Sequence, residues 1–236
     1  MQNRVDQLSE LVEKLNIYKT DLELLDIALT HPSFNFEQNM ENAQDYERLE
    51  FLGDSVLRLV ISEYLFDKYP DFQEGKLTKI RSYLVSDEFL YKIALNLNID
   101  RYLNIGPHEE KDGGRTKSSI LACAMEAILG AIYKSIGFQS AKDFLYQIYN
   151  DLDIDINEIL FIYNSKEILQ QYTQSDSKSL PEYILVSESG KAHDKTYEVC
   201  VVYKEKTLGF GVAKTKKEAE KIAAYNAIKE LKINQE

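Results

Sequence analysis

Apolar residues in the first two-thirds of the chain recur every three or four positions, the period of helices with one buried face. Val5, Leu8, Leu11, Val12 and Leu15 share such a face. Residues 21–29 carry another, ending at Thr30-His31-Pro32, where proline turns the residue before it away from helix. His31 is expected to pack or cap between helices there. Residues 45–64 predict a long helix rich in Leu and Val, followed by helices at 76–84 and 87–97 with Ser86 as the N-cap between them. Gly106-Pro107 and Gly113-Gly114 bracket a loop. Ser118 or Ser119 then opens an apolar helix reaching 136, and 140–152 makes one more.

The period changes beyond that point. Residues 153–157 are acidic and polar and read as the start of a linker, and 165–173 fit a short helix capped by Asn164 or Ser165. Strand-like runs follow at 181–187, 195–203 and 206–213. In the middle run Tyr197, Val199, Val201 and Tyr203 alternate with Glu198, Cys200 and Val202, which suits a sheet packed on one face. A last helix, 216–231, is basic at its start and apolar along Ala219, Ile222, Ala223 and Ala227. The pattern predicts a multi-domain chain: an all-α domain at 1–152, a linker at 153–162, and a small α+β domain of order α-β-β-β-α at 163–236.

Composition narrows the class. Hydrophobic residues at 44% and charged residues at 28%, with ten Gly and four Pro, can build a core and exclude a disordered or collagen-like chain. Cys123 and Cys200 cannot make a disulfide framework, and with His31, His108 and His193 they lack zinc-ligand spacing. The opening ten residues are polar, so no signal peptide is expected. The longest nearly apolar run, 120–133, falls short of the ~20 residues a spanning helix needs and carries Glu126. A soluble, reduced, cytoplasmic protein with no membrane partner is the expectation. The net charge of −11 argues against a polyanionic partner until the chain is divided. From residue 163 onward 12 Lys face 11 acids, a net of +1, whereas residues 1–162 hold 16 basic against 28 acidic groups, a net of −12.

The chemistry concentrates in Glu47-Arg48-Leu49-Glu50-Phe51-Leu52-Gly53-Asp54-Ser55-Val56-Leu57. On a helix Glu47, Glu50 and Asp54 fall at i, i+3 and i+7, on one face. A solvated acidic stripe has the same spacing. The surrounding Leu49, Leu52, Val56 and Val60 instead point to a largely buried helix, where clustered carboxylates need a neutralising partner. Hard Mg²⁺ takes oxygen ligands of this kind. Gly53 costs such a helix about 1 kcal/mol against alanine, which suggests a close approach of another element. Glu126 stands alone among Ile120, Leu121, Ala122, Ala124, Met125, Ala127, Ile128 and Leu129. A buried carboxylate there must meet a cation or neutralise itself; a paired arginine is the plain alternative.

The segment 47–57 resembles the signature of the ribonuclease III family. Flanking pieces agree: Leu29-Thr30-His31-Pro32-Ser33-Phe34, Gly113-Gly114-Arg115 and Ser119-Ile120-Leu121-Ala122. The C-terminal α-β-β-β-α unit, with Gly211 and Lys216-Lys217-Glu218-Ala219-Glu220, resembles the family's double-stranded RNA-binding domain. The resemblance implies an all-α endonuclease domain working as a homodimer that cuts RNA duplexes, such as ribosomal RNA precursors, to 5′-phosphate and 3′-hydroxyl ends. It implies Mg²⁺ as cofactor, with Mn²⁺ as substitute, and no small-molecule cofactor. By position Glu50, Asp54 and Glu126 match metal-site acids, with Asp54 and Glu126 most tied to catalysis. Glu47 matches an acid of the dimer and product-end region, and Phe51 the aromatic residue of the subunit interface.

One position departs from the family pattern: Cys123 stands where an Asp is expected, and a thiol is a poor Mg²⁺ ligand. Either the remaining acids sustain cleavage, or the protein is a catalytically weakened dimer that binds double-stranded RNA. In the second domain Lys214, Lys216 and Lys217 gather at the start of a helix, where ammonium groups and free N–H groups suit phosphate. By resemblance Gln170 and His193 would face the minor groove, where such domains read duplex shape over ~16 bp. The Thr that often follows the lysine of the family's first helix is here Glu167 after Lys166.

Overall fold

The computed structural model describes residues 2–40, 43–177, 179–190 and 195–233. The chain divides into two compact units between Ile154 and Asp155. The first contains α1 (Gln2–Leu15), α2 (Leu22–Ala28), α3 (Pro32–Glu37), α4 (Glu47–Lys68), α5 (Glu74–Leu84), α6 (Asp87–Asn96), α7 (Pro107–Lys111) and α8 (Ser118–Asp151). Local chemistry sets several of these ends. Asp21 caps α2 by accepting from the Glu23 and Leu24 amides, and Ser86 caps α6 by accepting from the Phe89 amide at 3.3 Å. His31 caps α3, its Nδ1 accepting from the Ser33 amide at 3.1 Å, with Pro32 opening the helix. The six-residue α3 and five-residue α7 are too short to leave a periodic signal in the sequence.

The core of this unit lies where α4 and α6 pack on α8, with Val60, Ile61, Ala124, Ala127 and Ile128 fully buried. Helix α8 breaks at Gly137 (φ 86°, ψ 175°), dividing it as the sequence suggests. The apolar run is longer than expected: the whole 34-residue helix is long and apolar enough by composition to cross a bilayer. Its apolar side chains are instead largely spent on α4 and α6. At the α4–α8 crossing the backbones touch. A Cβ on Gly53 would fall 1.7 Å from the Glu126 carbonyl oxygen, and one on Gly130 would fall 2.2 Å from that of Leu49. Two glycines, one from each helix, thus let the carboxylate-bearing turns of α4 and α8 lie against each other.

The second unit contains α9 (Ile156–Ser177), β1 (Glu182–Ser189), β2 (Thr196–Tyr203), β3 (Lys206–Ala213) and α10 (Lys216–Glu230). The sheet is antiparallel in the order β1-β2-β3, with Tyr183 opposite Val201 and Val201 opposite Gly209. Val201, Leu169, Ala223, Ala224, Ala227 and Ile228 form its core. Helix α9 starts nine residues before the expected 165, so residues 156–162, read as linker, are helical. The reason is Asp155, whose carboxylate accepts from the Asn157 and Glu158 amides at 2.9 and 3.1 Å. Ile159 is buried and Phe161 meets Tyr225 edge-on at 5.8 Å, so this turn belongs to the second unit's packing. Ser165, expected as a cap, is buried mid-helix and donates to the Ile162 and Lys221 carbonyls.

In an ordinary helix Gly→Ala gains about 1 kcal/mol. At Gly53 the sign reverses: Gly53→Ala is expected to lose about 1–3 kcal/mol through overpacking, read from the urea midpoint. An unchanged or raised midpoint would contradict the backbone contact.

Candidate active site

The exposed end of the α4–α8 crossing opens into a cleft of about 510 Å³. Its walls are Glu47, Glu50, Phe51, Asp54, Ser55 and Arg58 of α4, Glu126 of α8, and Asp87 at the start of α6. Glu50, Asp54 and Glu126 are partly buried, whereas Glu47 is exposed. The three acids read from the sequence as metal-site residues therefore share one cavity, with Glu47 at its edge. Asp87 and Arg58 were not singled out from sequence. Asp87 reads only as the first residue of a capped helix, and Arg58 as a helix-surface cation. Asp54 is held by Arg58, whose Nε lies 2.7 and 2.9 Å from the two carboxylate oxygens. Cys123, one turn before Glu126, is half-buried, and its thiol lies near enough to the Glu50 carboxylate for each to shift the other's ionisation.

Crowded like charges dominate the electrostatics. Glu126 is pushed up to about 8, first by burial and then by the charges of Asp54, Glu50 and Asp87, with Arg58 opposing. Glu50 is also raised, chiefly by burial, while the Cys123 hydrogen bond pulls the other way. Burial and the Glu50 carboxylate push the Cys123 thiol well above its usual range, so it stays a neutral S–H at physiological pH. Tyr46, buried behind these acids and edge-on to His31 at 5.5 Å, is raised by its burial as well.

The donor set fits a hard divalent cation: carboxylate oxygens, partly desolvated and mutually repelling, with Arg58 bonded to Asp54. Among the described residues no three His, Cys, Asp or Glu side chains stand close enough to grip an ion as they are. A bound cation would therefore draw the acids together and compete with Arg58 for Asp54.

On the solvent side of α4, Phe51 is 79% exposed, joined by Leu59 at 58% and Phe66 at 70%. These positions, i, i+8 and i+15, form an apolar stripe along one helix face. In the second unit Lys214, Lys216 and Lys217 are exposed around the first turn of α10, which Thr215 caps by accepting from the Glu218 amide at 3.2 Å. Lys216 lies 5.5 Å from the Tyr197 ring centre. Gln170 is exposed on α9, and His193 lies outside the described residues. Lys166 is engaged within the unit, paired with Glu220 at 2.5 Å and over the Tyr183 ring at 4.5 Å.

The Glu126 shift sets a pH dependence. In the unfolded chain this carboxyl ionises near its ordinary 4.5, while in the folded protein without a cation it holds its proton to about 8. Its contribution to stability is full below pH 4.5 and is lost as pH rises through that window. In EDTA, Glu126→Gln is expected to flatten the fall in melting temperature between pH 5 and 8. A slope identical to that of the wild type would contradict the assignment.

Comparison with known proteins places both units. Residues 21–152 match the Ribonuclease-III-like family, and residues 165–231 match the double-stranded RNA binding motif. The chain is 40% identical over 227 residues to Ribonuclease 3 of Listeria welshimeri, covering 96% of this chain and 99% of that protein. It is 42% identical over 222 residues to Ribonuclease 3 of Streptococcus mutans, covering 94% and 96%. Among solved structures, the nuclease domain of ribonuclease III from Campylobacter jejuni is 42% identical, with a TM-score of 0.56, covering 62% of this chain and 97% of that one. A second structure of that domain, 41% identical with the same TM-score, covers 61% and 97% and is described as flexible in a region involved in dimer formation. With matches of this identity running through both units, the chain belongs to the ribonuclease III family.

Proposed function

We propose that this protein is a double-strand-specific endoribonuclease that works as a homodimer in the cytoplasm with Mg²⁺, or Mn²⁺ in its place. The observation that carries the reading is the convergence of Glu50, Asp54 and Glu126 on one cleft, in a chain that also carries an α-β-β-β-α unit with a basic helix start. Glu50, Asp54 and Glu126 would hold the cation. When bound, it lowers the pKa of the attacking water and stabilises charge on the leaving 3′ oxygen, leaving 5′-phosphate and 3′-hydroxyl ends.

The chain's own groups do the rest. The acids of α4 and α8 repel phosphate until they are neutralised, so substrate engagement is coupled to cation occupancy. Arg58, beside Asp54, offers a positive group at the cleft wall for a phosphate oxygen. Lys214, Lys216 and Lys217, with the free N–H groups of α10, contact the duplex backbone, while Gln170 and His193 reach the minor groove. The exposed Phe51, Leu59 and Phe66 supply an apolar surface for the second copy, placing Glu47 and Phe51 near the subunit boundary. Structured precursors such as ribosomal RNA are the proposed substrates. The competing reading, a weakened RNA-binding dimer, rests on Cys123.

Cleavage of a long uniform RNA duplex tests the proposal. The wild type is expected to shorten the duplex in Mg²⁺ or Mn²⁺ but not in EDTA, and Glu126→Gln to lose roughly 100-fold or more of that rate. A duplex shifted on a gel yet intact in both metals would sink the nuclease reading and leave the binding protein, in which Cys123→Asp should restore cutting.

A further inference from the structure

The family's expected acid is missing at position 123, yet the cleft holds two carboxylates besides Glu50, Asp54 and Glu126: Glu47, on the same helix as Glu50 and Asp54, and Asp87, from a third helix. Asp87 stands at the first position of α6 and lines the same cavity as Glu50, Asp54 and Glu126, whereas Cys123 is not among the residues that line it. Asp87 is not needed as the helix cap, because Ser86 fills that role. Its neighbour Glu88 is paired with Lys92 at 2.8 Å, whereas the side chain of Asp87, exposed at the cleft wall, has no ion pair or hydrogen bond among the described residues. Its charge reaches the site, adding to the repulsion felt by Glu50, Glu126 and Cys123.

Resting on the metal reading above, we infer that Asp87 supplies from α6 the carboxylate that Cys123 does not, and shares the divalent cation with Glu50, Asp54 and Glu126. A carboxylate at the wall of this cleft adds like charge to the other acids when the cleft is empty, and adds a ligand when a cation is present. Mg²⁺ keeps several waters, so a carboxylate from a neighbouring helix can hold it through one of them, which a neutral thiol does poorly. Cys123 then has a separate part: a neutral thiol beside Glu50, it leaves the site with one negative charge fewer than an Asp at this position would.

Mn²⁺ binding to the full chain, measured by calorimetry without RNA, tests this. Asp87→Asn is expected to weaken binding on the order of 10- to 100-fold. Glu88→Gln, an adjacent charge loss on the same turn, should bind as the wild type does. Cys123→Asp added to Asp87→Asn should restore most of the lost affinity, which a mere folding defect would not allow. Wild-type binding by Asp87→Asn, or no recovery in the double variant, overturns the role of Asp87 while the metal site stands. Binding unaffected by Glu126→Gln overturns the metal reading itself, and Asp87 with it.

Discussion

Backbone contact between α4 and α8 at Gly53 and Gly130 is the constraint on which the site depends. Any side chain at either position would push the helices apart, because the nearest atoms are the other helix's backbone carbonyls rather than flexible side chains. Close approach places Glu50 and Asp54 opposite Glu126 in one cleft. It also buries the flanking Leu49, Val56, Ala127 and Gly130, so the apolar surface removed from water on both helices opposes the repulsion between the acids. The acids are held together by packing that has nothing to do with their own chemistry.

That arrangement explains why the site is poised for a cation. Packing forces desolvated carboxylates together, and the protein's own responses are partial: a proton retained on Glu126, Arg58 on Asp54, and a neutral thiol beside Glu50. Each addresses one acid, whereas a divalent ion would address all of them at once. Cys123 fits this logic as a small neutral donor in a place where another carboxylate would add charge. The basic face of the second unit is built quite differently, from exposed lysines around a helix start with a solvated neighbourhood. This contrast fits a division between chemistry in a tight acidic cleft and backbone contact on an open surface.

Much of this was legible in the sequence because it is written in local patterns. The i, i+3, i+7 spacing of Glu47, Glu50 and Asp54, the glycine within that helix, the caps at His31 and Ser86, and the alternation through Tyr197–Tyr203 each reflect a rule that acts over a few residues. What escaped depends on longer range or on competing signals. Asp155 followed by Glu158 is a helix start hidden inside an acidic stretch, and the apolar Ile159 and Phe161 show their meaning only against α10. Asp87 carries no signal of its own, since its place in the cleft follows from how α6 packs on α8. The sequence by itself allows either a cation or an arginine as the partner of Glu126. In the structure Arg58, whose charge acts on Glu126, is bonded to Asp54 instead.

The central claim, that the glycine crossing builds the cation site, is tested most directly by the rise in melting temperature that Mn²⁺ produces over EDTA in Gly130→Ala. The account predicts a clear rise for the wild type, none for Glu126→Gln, and a lost or much reduced rise for Gly130→Ala even where its helix content is intact. A full Mn²⁺-dependent rise in Gly130→Ala would show that the acids find the ion without the backbone contact, and would contradict the account.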